Sequence, residues 1–262
     1  MPKLAANVSM LFPQLPFLDR FAAARAAGFR AVEYQFPYDH DAAEVARRAR
    51  DARLEVVLHN LPLGGNPKVE RGIACLPGRE REFRDNVERG IEYAVAAGCP
   101  RLNCISGIAP ADQEHLDVLV GNLRYAARKL GAAGLQLMLE PVSTRSVPGF
   151  ILNRSQQAID VLNAVGEGNA LLQYDLYHMQ MMEGDLAMTI ERLLPRIGHM
   201  QLADNPGRAE PGTGEINYPW LLQRIDALGY EGWIGCEYRP AGDTRAGLGW
   251  ADDYLNPRRA TT

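Results

Sequence analysis

The sequence predicts an α/β fold, a single (β/α)8 TIM barrel, on three observations. Short apolar runs alternate with helix-like segments from one end of the chain to the other. Helical segments close on a repeated mark, AAGF, AAGC, AAGL or ALGY, and the next strand begins at once. Gly28, Gly98, Gly134 and Gly229 therefore stand where a helix stops in a left-handed residue. Finally, SMLFPQLPF, which follows the first run, contains no glycine. An open doubly wound sheet would carry its dinucleotide fingerprint there.

The strand candidates are LAANVSM (4–10), FRAVEYQ (29–35), LEVVLHN (54–60) and RLNCISG (101–107), then LQLMLEP (135–141), ALLQYDL (170–176), IGHMQLA (197–203) and GWIGCEY (232–238). Each alternates or clusters apolar residues over a strand length. Between them, FLDRFAAARAAG, DAAEVARRARDAR, REFRDNVERGIEYAVAAG and HLDVLVGNLRYAARKLGAAG space their apolar residues helically. SQQAIDVLNAVG, DLAMTIERLLPR and YPWLLQRIDALG do the same. Residues 1–262 read as one domain, because no low-complexity linker divides them. The tail from 241 to 262 is expected to add a partial last helix and a frayed end. Two loops are long, 61–78 after the third strand and 203–217 after the seventh. Both leave strand C-termini, where a barrel carries its chemistry.

Composition limits the function classes. The chain has 262 residues, 47% hydrophobic and 23% charged, so it buries a core without needing disulfides or a structural metal. A net charge of −4 gives no basic excess for a nucleic-acid partner. No apolar run has the length that spans a bilayer, so no membrane partner is expected. The start, MPKLAANVSMLF, lacks the h-region of a signal peptide, and Cys75, Cys99, Cys104 and Cys236 form no CxxC pair. Together these favour a cytoplasmic protein with reduced thiols.

The chemistry gathers at strand ends. Strand five ends in Glu140, strand six in Asp175 and strand eight in Glu237. Strand seven offers His199 and Gln201 at alternate positions, hence on one face. One such acid could equally cap a helix; three at matching positions converge on one barrel mouth and repel one another. A divalent cation is the simple way to keep them ionised, and oxygen donors suit Mg or Mn.

With those residues the chain resembles a known family. LMLEP, YDLYHMQ, HMQLADNPGRAEPGTGEINY and GCEY together are similar to the hydroxypyruvate isomerase family, within the xylose isomerase-like barrel superfamily. The likeness runs from ANVSMLF through EYQFPYD, HNLPLGG and VPGF to RAGLGW, and PGRAEPGTGEINY is its most specific part. The resemblance implies a divalent metal held by Glu140, Asp175, Gln201 and Glu237, with Glu140 and Glu237 doubling as proton donor and acceptor. Gln201 stands where many superfamily relatives carry a histidine ligand, which makes the set all-oxygen. The implied reaction interconverts hydroxypyruvate and 2-hydroxy-3-oxopropanoate (tartronate semialdehyde) by proton transfer through an enediolate.

Other residues are expected to support a small hydroxy-oxo acid substrate. Arg208 matches a carboxylate in a bidentate fork. His178, three residues after Asp175, could donate to a substrate oxygen, and His59, ending strand three, could line the pocket. His199 lies deeper in the barrel, and Trp220 and Trp233 are expected to pack. Some related epimerases place another acid six residues beyond the first glutamate, where this chain has Ser146. The alternatives are a 2-oxo-tetronate isomerase or ketose 3-epimerase, a non-catalytic binding barrel, and an AP endonuclease-like nuclease. LGWADDYLNP (248–257) offers a surface for a homo-oligomer.

Overall fold

The computed structural model describes residues 1–65 and 71–256. Part of the long loop 61–78 and the frayed end expected at the C-terminus lie outside the described residues. Eight strands close a parallel barrel in sequence order: β1 (Lys3–Asn7), β2 (Ala31–Glu33), β3 (Glu55–Asn60), β4 (Arg101–Cys104), β5 (Gln136–Leu139), β6 (Ala170–Asp175), β7 (Ile197–Leu202) and β8 (Trp233–Cys236). β8 pairs with β1 and closes the ring. The (β/α)8 expectation is met, including the order of every strand.

The helices are α1 (Arg20–Ala26), α2 (Ala42–Asp51), α3 (Glu80–Ala97), α4 (Gln113–Ala132), α5 (Ser155–Val165), α6 (Leu176–Met182), α7 (Leu186–Leu193), α8 (Tyr218–Ala227) and a short α9 (Asp252–Leu255). Side-chain caps start several of them. Asp41, Asp112 and Asn217 accept the N–H of Glu44, His115 and Trp220, each satisfying a helix-end donor. Gly98 ends α3 at φ 69°, as its AAGC mark predicts. The helix α6, sandwiched between β6 and α7, is additional to the sequence reading. It forms because Asp175 closes β6 and caps the next turn through the N–H of Tyr177, 2.9 Å away.

The main core lies between barrel and helices. A smaller cluster of Ala5, Ala31, Val57, Leu58 and Met138 plugs the barrel itself, with Leu171 and Trp233 against it. Trp220 corrects an expectation: it is 54% exposed on α8 rather than packed. All four cysteines are buried and free. Among the described residues no helix is long and apolar enough to cross a membrane.

Above the apolar plug the interior turns polar. The register pairs Asn7 with Glu33, Asn60 with Asn103, and Asp175 with Gln201. One strand residue in this layer must lack a side chain. A Cβ on Gly235 would overlap the Glu33 carboxylate. Gly235→Ala is therefore expected to destabilise the protein by about 1–3 kcal/mol through overpacking, read as a lower urea midpoint with unchanged slope.

Candidate active site

The mouth of the barrel carries a polar side chain from every strand. Glu140 follows β5 directly, and its Oε2 accepts from Asn103 Nδ2 of β4 at 2.8 Å. Asn103 also donates to Asn60 Oδ1 of β3 at 3.2 Å. Glu237 follows β8; its Oε1 accepts from Gln35 Nε2 at 2.8 Å and Asn7 Nδ2 at 3.3 Å. Gln201 on β7 accepts from Gln173 Nε2 at 2.7 Å and donates to Glu33 Oε1 at 2.8 Å. His199, two residues earlier, donates Nε2–H to Glu33 Oε2 at 2.6 Å. Glu33, Asn7, Asn103, Gln35 and Gln173 were not singled out in the sequence. Only closure of the barrel shows that their face points inward.

Asp175 has a divided role. Its Oδ1 caps α6, whereas Oδ2 is buried without a hydrogen-bond partner among the described residues. That oxygen lies 3.5 Å from His178 Nε2 and 3.8 Å from Arg208 Nη2. Ligand atoms of Glu140, Asp175 and His178 lie within 4.8 Å of one another. An orphaned carboxylate oxygen beside a second carboxylate and an imidazole is a donor set suited to a divalent cation. The expected ligand Gln201 sits one strand over from Asp175, with one lone pair of its Oε1 already used by Gln173.

The electrostatics carry the same message. Burial raises the Glu140 carboxyl well above the usual range, and the charges of Glu237 and Asp175 add to the rise. Burial pushes Asp175 up to about 6 and Glu237 up to about 7, against the lowering pull of Arg208. His178 is pushed down by burial and by the Arg208 charge, so it stays neutral and able to offer a lone pair. Asp175 and Glu237 hold protons in the folded, metal-free protein that the unfolded chain releases near 3.8 and 4.5. Their contribution to stability is fully present below the unfolded values and is lost as pH rises through about 6 and 7. The melting temperature of chelator-treated protein should therefore fall between about pH 4 and pH 7. In Glu237→Gln the fall should be shallower, and an equally steep fall would place the effect elsewhere.

Arg208 reaches this cluster from the β7–α8 loop. Its Nη2 lies 2.7 Å from Glu237 Oε2, and its guanidinium lies over the Tyr177 ring at 5.1 Å. The loop is held by Asp204, whose buried carboxylate accepts the backbone N–H groups of Asn205, Gly212, Gly214 and Ile216. A Cβ on Gly214 would run into the Asn205 carbonyl. Glu210 fixes the backbone of Ala241, and Glu215 accepts from Gln180, so these two acids brace the loop's surroundings. The polar run after β7 is thus a built platform for one arginine.

His59 is placed differently from the expectation. It packs between the barrel and its helices, stacked on Tyr34 at 5.8 Å and edge-on to Tyr93 at 5.5 Å. Burial pushes its imidazole down to about 4. The cause is a bulge: Val32 pairs with Val56 but Glu33 pairs with Leu58. The extra residue moves β3 one step out of alternation, so Asn60 takes the inward position and His59 the outward one.

A cavity of about 740 Å³ opens above the cluster, walled by Gln35, Asn60, Glu140, His178, Arg208 and Glu237 among others. A closed parallel barrel with polar residues gathered at its C-terminal mouth is the architecture in which TIM-barrel enzymes carry their active sites. The chain belongs to the xylose isomerase-like TIM barrel family, whose model matches residues 21–254. Within that family it is an isomerase. It is 49% identical to the hydroxypyruvate isomerase of Escherichia coli (strain K12), covering 97% of this chain and 100% of that one. It is 46% identical to the 2-oxo-tetronate isomerase of Cupriavidus necator, covering 97% and 99%. The crystal structure of an AP endonuclease, family 2, from Brucella melitensis superposes with a TM-score of 0.94 at 43% identity, covering 97% and 99%.

Proposed function

We propose that the protein interconverts hydroxypyruvate and 2-hydroxy-3-oxopropanoate, with a divalent cation, Mg or Mn, held by Glu140, Asp175, Gln201 and Glu237. The observation that carries this reading is the pair Glu140 and Glu237, both buried and both facing the cavity into which Arg208 points. When bound, the cation polarises the substrate carbonyl and makes the neighbouring C–H acidic.

The chain's own residues do the rest. One of Glu140 and Glu237 takes the proton from C3 of hydroxypyruvate. The electron pair forms the C2–C3 double bond of an enediolate, and the C3 hydroxyl proton passes to the C2 oxygen. The same glutamate or the opposite one then returns a proton to C2 as the C3–O bond becomes a carbonyl. Arg208 turns its guanidinium to the substrate carboxylate, and its charge keeps Glu237 from becoming too weak an acid. His178, neutral and with Nδ1 unpartnered among the described residues, donates to a substrate oxygen or takes a place in the cation's ligand set.

A four-carbon 2-oxo acid is the second reading. The full-length similarity to a 2-oxo-tetronate isomerase favours it, and a 740 Å³ cavity leaves room for one more carbon. The nuclease reading finds less support. Of five histidines, His178 alone joins the carboxylate cluster. His59 and His199 are held by other partners, and His40 and His115 stack on Phe17 and pair with Asp112. Ser146, at the position of the epimerases' extra acid, is exposed in a turn.

The test is to strip the protein with a chelator and follow loss of hydroxypyruvate and of 2-oxo-tetronate. Turnover should vanish and return with Mg or Mn, and the ratio of kcat/KM values assigns the substrate. Full turnover in the stripped protein would sink the metal-dependent mechanism.

A further inference from the structure

The polar layer contains one carboxylate that the proposed mechanism does not use. Glu33 closes β2, is 0% exposed, and faces the barrel axis beneath the mouth. Among the described residues no lysine or arginine is bonded to it. Three N–H groups solvate it instead: Asn7 Nδ2 at 2.9 Å and Gln201 Nε2 at 2.8 Å on Oε1, and His199 Nε2 at 2.6 Å on Oε2. Burying a carboxylate this deeply is expensive unless every lone pair is used. Gly235 makes room for it by lacking a Cβ.

The consequence falls on Gln201. A primary amide has two faces of similar shape, and nothing intrinsic chooses which one points at a ligand. Here the choice is forced. Rotating the amide by half a turn would set its oxygen against the Glu33 carboxylate and its NH2 against the NH2 of Gln173. Both contacts would be repulsive. Glu33 therefore holds Nε2 on its own side, and the carbonyl oxygen stays turned to Gln173 of β6, the strand that also carries Asp175 opposite Gln201.

We infer that Glu33 is a positioning residue for the cation site: it locks the amide of Gln201 with its oxygen toward the carboxylates, so that a glutamine serves as a metal ligand there. This rests on the proposed cation site and adds to it a residue outside the ligand set. Outer partners of metal ligands typically contribute about ten- to a hundredfold to metal affinity.

Manganese titrations followed by calorimetry test the inference on stripped wild type, Glu33→Gln, Glu33→Leu, Gln201→Leu and the Glu33→Leu/Gln201→Leu double variant. Glu33→Leu should weaken manganese binding about ten- to a hundredfold. Glu33→Gln, which keeps an acceptor for Gln201 and nearly the same size, should fall between it and wild type. In the Gln201→Leu background the Glu33→Leu change should add no more than about twofold, because its route to the cation is already cut. The visible spectrum of the cobalt-loaded Glu33→Leu protein should shift as that of Gln201→Leu does. Wild-type affinity in Glu33→Gln and Glu33→Leu would overturn the inference, as would a full Glu33→Leu penalty in the Gln201→Leu background. Should Glu33→Leu fail to fold, Glu33→Gln decides: unchanged affinity overturns the inference, and weaker binding supports it. Absence of manganese binding to the wild type itself would instead remove the cation site, and the inference with it.

Discussion

Glu237→Gln should abolish proton exchange at the substrate carbon, with kcat falling about a thousandfold, within the range for removal of a positioned acid or base. The substitution is nearly isosteric. Its side-chain oxygen can still accept from Gln35, so the cavity wall keeps its shape. What disappears is the proton-accepting carboxylate and one of the charges facing Arg208. Incubating variant and wild type with hydroxypyruvate in deuterium oxide separates the effects. Wild type should incorporate solvent deuterium during turnover, and the variant should not. Retention of more than a tenth of wild-type turnover would move the chemistry away from Glu237.

Arg208→Ala is the second large effect. The guanidinium lies within reach of both Glu237 and Asp175, at 2.7 and 3.8 Å. It supplies positive charge to the cluster and, in the proposed reaction, is the group that meets the substrate carboxylate. Loss of a charge-assisted contact is expected to raise KM for an oxo acid by about ten- to a hundredfold. A neutral ketose should be affected far less. Arg208→Lys should recover charge without the planar fork and restore only part of the affinity. Because Arg208 opposes the rise in the Glu237 and Asp175 pKa values, the metal-free alanine variant should also melt lower near neutral pH. Equal KM values for the acid in wild type and variant would assign Arg208 to structure alone.

Much of this architecture was legible because barrels punctuate their sequences. The glycine that closes each AAG or ALG mark, the strand lengths, and acids placed at three strand ends are local features. Asp175 was readable for that reason, although only the structure shows that one of its oxygens caps α6 while the other stands unpartnered among the described residues. Glu33 was not readable. FRAVEYQ alternates as a half-exposed strand would, and closure of the barrel alone makes its inward face a buried one. The exchange of His59 for Asn60 was equally hidden, since one bulged residue in the β2–β3 pair reverses the faces without altering composition. In the loop 203–217, the prolines and glycines announced a fixed path. The four N–H groups converging on Asp204 depend on turns that no residue pattern specifies.

The most direct measurement is the anomalous scattering of a manganese-loaded crystal grown with a non-isomerisable oxo acid. One peak is expected, bounded by oxygens of Glu140, Asp175, Gln201 and Glu237, with the Arg208 guanidinium on the acid's carboxylate. A peak held elsewhere with Gln201 and Glu237 turned away from it, or no peak in the barrel mouth at all, would contradict it.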